Sequence, residues 1–240
     1  MLRLLAAAAG VVSAGTLAVH PFPSFDAGCA RDDFASGGQT VRAERCGPSN
    51  GPRAVVVLHG CGGFGTFDHQ VAARFPRLGI ATLYVDYFGP TPLPGPRRFC
   101  GAGEAAGEAF PVWERVAVDA AAHLRHRYAH VGVVGWSLGA GVALATAEDT
   151  GAFDAVAAFS AGAFGPVLDR ARLLPPTIFL SGGSHDVIPV ADAVALYRAA
   201  RAARVPTALY VYPRGTHAWK GRQGVVGRAH AAAFLRRWLR

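Results

Sequence analysis

The chain has 240 residues, with 51% hydrophobic and 17% charged side chains. Length and composition suit a single large α/β domain and exclude a disordered chain or a coiled coil, because there is apolar material enough for a sizeable core. The net charge is +8, but Lys220 is the one lysine among 24 cations and the arginines are scattered. Nucleic-acid binding wants clustered arginine interleaved with aromatics, so no nucleic-acid partner is expected.

The N-terminus reads as an export signal over residues 1–20. Arg3 supplies the positive start, and Leu4 to Val19 is an apolar stretch loosened by Gly10, Ser13 and Gly15. It is shorter than the ~20 residues a bilayer span needs. Val12-Ser13-Ala14 and Thr16-Leu17-Ala18 offer small residues for signal peptidase. An uncleaved anchor is the alternative. Cleavage would leave a secreted or periplasmic protein with no stable membrane association. Cys29, Cys46, Cys61 and Cys100 then favour disulfides, and four cysteines allow three pairings. Cys29 with Cys46 would staple the segment before the first core strand. Cys61 with Cys100 would tie a glycine-rich loop to a long insertion.

Residues 21–50 hold no clear element except an early strand near Gln39–Ala43. One domain is expected over 51–240. Its first strand is Ala54–Leu58, a continuous apolar run of the kind buried on both faces. A helix over Asp68–Leu78, a strand over Ile80–Val85 and a Gly/Pro-rich insertion over 87–108 follow. Phe110–Tyr128 is a long amphipathic helix with Pro111 in its first turn. Val131–Val134, Ala155–Phe159, Thr177–Leu180 and Ala208–Tyr212 are strands. Leu138–Glu148, Val190–Ala203 and Val225–Trp238 are helices. The alternation predicts a doubly wound, mostly parallel sheet with helices on both faces and its cleft at the carboxyl ends of the strands.

Gly135-Trp136-Ser137-Leu138-Gly139 lies between a predicted strand and a predicted helix. That is the setting a G-x-S-x-G nucleophile requires, since the serine occupies a strained turn and its neighbours two residues away must lack side chains. A serine needs a base, and the base an orienting acid. Asp186 follows the strand Thr177–Leu180, and His217 follows the strand Ala208–Tyr212. Ser137, Asp186 and His217 therefore converge on one sheet edge in the order serine, acid, histidine. His185, Asp86 and Asp192 compete less well by position. His123, His126 and His130 read as surface residues. The oxyanion requires two N–H donors. Leu138 supplies one and Cys61, in the loop after the first core strand, supplies the other. His59 shapes that loop. Phe64, Trp136 and Trp219 flank these positions and are candidates for the pocket wall. No metal or organic cofactor is required.

Together these residues resemble the α/β-hydrolase fold and, within it, the dienelactone hydrolase-like family. The resemblance covers about residues 52–240. It rests on His59-Gly60-Cys61-Gly62-Gly63, Val85-Asp86-Tyr87-Phe88-Gly89, Gly135-Trp136-Ser137, the Asp186 loop and Gly215-Thr216-His217. The short connection after Ala155–Phe159 fits a family without a large cap domain. The resemblance implies an esterase acting on a small-molecule ester. Two departures are visible. Known dienelactone hydrolases look like cysteine enzymes, whereas this chain has Ser137. They also carry a glutamate where Gly60 stands, so thiol gating does not transfer. Family members hold a substrate carboxylate with arginines, for which Arg97 and Arg98 in the insertion are candidates. The rival readings are a peptidase or amidase with the same triad, and a retired hydrolase that only binds. The oligomeric state is left open.

Overall fold

The structure is a computed structural model that describes residues 28–92, 99–101, 103–163, 166–183 and 186–240. The stretch read as an export signal, Arg97, Arg98 and His185 lie outside the described residues.

Among the described residues the main sheet has eight strands in the order β1-β4-β6-β5-β7-β8-β9-β10. They are β1 (Cys29–Arg31), β4 (Ala43–Cys46), β5 (Gly51–Leu58), β6 (Ala81–Val85), β7 (Tyr128–Trp136), β8 (Val156–Phe159), β9 (Thr177–Gly182) and β10 (Thr207–Tyr212). From β6 to β10 every pairing is parallel, while β4 and β1 add an antiparallel edge. A separate hairpin joins β2 (Phe34–Ser36) to β3 (Gln39–Val41). Among the described residues the α-helices are α1 (Thr66–Arg74), α2 (Gly103–Arg125), α3 (Leu138–Thr150), α4 (Pro166–Arg170), α5 (Val190–Ala202) and α6 (Gly221–Trp238).

Side chains alternate across a strand, and β5 divides accordingly. Ala54, Val56 and Leu58 join the core under α2, α3 and α5. Val55 and Val57 join the core under α1 and α6. All five are completely buried, as a parallel strand between two helical layers must be. This is the α/β-hydrolase architecture, with no large cap domain among the described residues. None of the described helices is long and apolar enough to cross a membrane.

The structure departs from expectation in two regions. The segment before β5 is more ordered than its sequence suggests, because tertiary bonds hold its short strands. Asp32 bonds Arg45 on β4, His123 on α2 and Arg127 just before β7. That contact also makes His123 a half-buried partner rather than a surface residue. Second, α2 begins at Gly103, so Pro111 lies inside it and not in its first turn. Ala105 and Ala106 pack on the core and carry the helix upstream of the proline. The cysteines pair as Cys29–Cys46 and Cys61–Cys100, the pairing described from sequence among the three that were open.

Candidate active site

Ser137 stands between β7 and α3 with φ 56° and ψ −119°, a conformation that an L-residue rarely adopts. Its two flanking glycines are required by close approach. A Cβ on Gly135 would lie 2.3 Å from the Gly139 carbonyl oxygen, and one on Gly139 would lie 2.2 Å from that of Leu58. The turn is therefore packed backbone to backbone against the end of β5. Helix α3 starts immediately behind the serine, so its free N–H groups and positive dipole end face the site.

His217 comes from the loop after β10 and Asp186 from the loop after β9. His217 Nε2 lies 3.0 Å from Ser137 Oγ, and His217 Nδ1 lies 2.7 Å from Asp186 Oδ1. Asp186 also accepts the Ile188 N–H on Oδ1. On Oδ2 it accepts the Gly182 N–H at 2.9 Å and the Ser160 hydroxyl at 2.5 Å. Burial alone would raise this carboxyl. The hydrogen bonds from His217, Ser160 and Ile188 outweigh it and hold the group below the usual carboxylate range. The acid is thus ionised at neutral pH and can stabilise an imidazolium.

Cys61 follows β5 in a tight turn closed by the Gly63 N–H on the Gly60 carbonyl. His59, fully buried, stacks on Tyr87 at 4.3 Å, and its own carbonyl accepts the Tyr87 hydroxyl. The Cys61 carbonyl accepts the Phe99 N–H, and its sulfur is bonded to Cys100. Leu138 is the first residue of α3.

The three aromatic candidates have different fates. Phe64 is partly buried edge-on against His59. Trp136 is partly buried beside the His217 ring, and its indole N–H donates to the His217 carbonyl. Trp219 is completely buried and lines no open surface, which corrects its assignment to the pocket wall. Its left-handed backbone, φ 50°, turns the indole inward, where it donates to Ser160 Oγ. The competing acids are engaged elsewhere: Asp86 pairs with Arg42, and Asp192 accepts the Ala163 N–H. Ser160 was not singled out from sequence. The available signal is a small polar residue at the carboxyl end of β8, the strand beside β7.

A strained serine at a strand-to-helix turn, with the histidine and acid on the following loops, defines the α/β-hydrolase class. The family model described as "Dienelactone hydrolase family" matches residues 41–240, and the chain belongs to that family. No curated protein matches the sequence. Similar solved structures include a candidate dienelactone hydrolase from Klebsiella pneumoniae subsp. pneumoniae, at 19% identity and TM-score 0.73, covering 87% of this chain and 98% of that one. A cold-adapted esterase from an Arctic intertidal metagenomic library has 16% identity and TM-score 0.70, with 88% and 94% covered. A dienelactone hydrolase-like promiscuous phosphotriesterase from metagenomic libraries has 15% identity and TM-score 0.72, with 88% and 98% covered. At these identities the structures speak for the fold. Hydrolase activity follows from the family.

Proposed function

We propose that the protein is an exported serine hydrolase that cleaves carboxylic esters of small molecules through an acyl-enzyme. Ser137 Oγ attacks the ester carbonyl while His217 Nε2 takes its proton. The tetrahedral oxyanion is held by the N–H groups of Leu138 and Cys61. His217 then protonates the leaving alcohol, and water drawn up by the same nitrogen hydrolyses the acyl-enzyme. Asp186 keeps the imidazole in the tautomer with its proton on Nδ1 and stabilises the charged ring.

The observation that carries this reading is the continuous bonding from Ser137 through His217 to Asp186, with the serine held at a strained backbone turn. Further support comes from similar structures described as esterases. A fluorophosphonate probe, which needs a live nucleophile, tests the chemistry. Wild type should label and Ser137→Ala should not. Labelling that persists in Ser137→Ala would assign the nucleophile elsewhere, and an unlabelled wild type would favour a retired hydrolase. p-Nitrophenyl esters should turn over well ahead of peptide anilides; the reverse order would make the protein a peptidase or amidase.

Export rests on Arg3 and the apolar run after it. Expressed with its own leader in a bacterium, the mature protein should begin between residues 15 and 29 by intact mass. Full-length protein recovered from the cytoplasm would sink that part.

A further inference from the structure

Four non-glycine residues among those described have positive φ: Ser137, Ser160, Arg204 and Trp219. The strain at Ser137 belongs to the nucleophile's turn. Ser160 and Trp219, both at φ 50° and both completely buried, are bonded to each other. Left-handed backbone at such residues persists only where the surroundings over-determine it.

The direction of this bonding is fixed by chemistry. An indole N–H can only donate, so Ser160 Oγ accepts from Trp219 Nε1 at 2.9 Å. The single hydroxyl proton of Ser160 then goes to Asp186 Oδ2 at 2.5 Å. With the Gly182 N–H on the same oxygen, Oδ2 is held from two sides and Oδ1 is left facing His217. The indole is itself seated with care. Its residue's carbonyl accepts Arg228 Nη1 at 3.2 Å, and Phe159 and Tyr212 meet the ring edge-to-face. Helix α6 makes the room: a Cβ on Gly224 would lie 1.7 Å from the Trp219 carbonyl oxygen, and one on Gly227 2.8 Å from the ring.

We propose that Ser160 and Trp219 are positioning residues for the hydrolytic reaction, the indole N–H orienting the Ser160 hydroxyl and that hydroxyl fixing the Asp186 carboxylate for His217. This rests on the reading of Ser137, His217 and Asp186 as catalytic. Core packing alone would ask neither for a hydroxyl at 160 nor for two left-handed residues in contact. The relay acts when charge develops on the imidazole, so it changes turnover and not ester binding.

Ser160→Gly removes the hydroxyl while suiting the left-handed backbone, and Trp219→Phe removes the N–H while keeping an aromatic ring. Steady-state ester kinetics of both variants and their double variant test the relay, alongside thermal melting. Ser160→Gly should lower kcat by about 10- to 100-fold, the worth of one hydrogen bond to a charged group, with KM little changed. Trp219→Phe should lower kcat by about 3- to 10-fold. The double variant should match Ser160→Gly alone, because the indole acts only through the hydroxyl. Wild-type kcat in Ser160→Gly would overturn the proposal, as would losses that multiply in the double variant. If Trp219→Phe does not fold, the kcat and KM of Ser160→Gly decide alone. Asp186→Asn is the control: if it too retains full turnover, the catalytic reading has failed and not the relay in particular.

Discussion

Asp186 accepts four hydrogen bonds, as many as the lone-pair positions of a carboxylate. Each oxygen accepts from one backbone N–H, Gly182 on Oδ2 and Ile188 on Oδ1, and a backbone donor cannot reverse its role. An asparagine at 186 therefore points its NH₂ group at an N–H in either flip. Asp186→Asn should cost about 10⁴-fold in ester turnover, comparable to the loss known when a triad histidine is left in the wrong tautomer. It should also lower the melting temperature, since a buried donor loses its acceptor. Near-normal turnover would mean that another acid orients His217. The juxtaposition of Ser137, His217 and Asp186 was legible in sequence, because strand, turn residue and chain order all act locally. The support of Asp186 was not. Ser160, Gly182 and Trp219 come from separate segments, and no local pattern tells whether a tryptophan beside a catalytic loop turns outward to substrate or inward to a serine.

At the scale of elements, β5 to β9 were legible because parallel strands buried on both faces leave continuous apolar runs, and the half-exposed edge strand β10 was legible from its apolar and aromatic run. Strands β1 to β4 are three or four residues each and carry polar side chains, so their order comes from Asp32 and from the Cys29–Cys46 bond rather than from propensity. The loop after β5 is fixed in the same long-range way. Phe99 packs on Phe88 and Trp113 at 4.7 and 4.6 Å and donates its N–H to the Cys61 carbonyl, and the adjacent Cys100 bonds the Cys61 sulfur. The insertion thus holds the backbone whose N–H is assigned to the oxyanion. Any non-proline residue supplies that N–H. Cys61→Ala and Cys61→Ser should keep most ester turnover while melting at lower temperature under oxidising conditions. Cys61→Pro should lose about 10²–10³ in kcat, the worth of one oxyanion donor. The comparison counts only where Cys61→Pro melts close to the Ala variant. Equal losses in all three would tie catalysis to the disulfide and not to the N–H.

For the whole molecule, two buried carboxyls set a pH dependence of folding that is separate from catalysis. Glu148 on α3 is buried, and neither carboxylate oxygen has a hydrogen-bond partner among the described residues. Burial pushes its pKa from 4.5 up to about 8, with Arg170 opposing and Asp149 reinforcing the shift. Asp68 on α1 is completely buried, with the Gly65 N–H on one oxygen, and burial raises it to about 7. In each case the folded protein holds a proton that the unfolded chain releases near pH 4. The unfolded state then binds fewer protons, so stability falls as pH rises from about 4 until it levels off above about 8. Glu148→Gln and Asp68→Asn cannot ionise, and Asn can keep an oxygen toward the Gly65 N–H. Near pH 4 each variant should melt close to wild type, since the native acids are then neutral. At pH 9 each should melt higher. The two helices pack on opposite faces of the sheet, so the gains should add in the double variant. Thermal melts of the four proteins at pH 4, 6 and 9 measure this. A variant-to-wild-type difference that stays constant with pH would mean that these carboxyls titrate in the folded protein as they do in the unfolded chain.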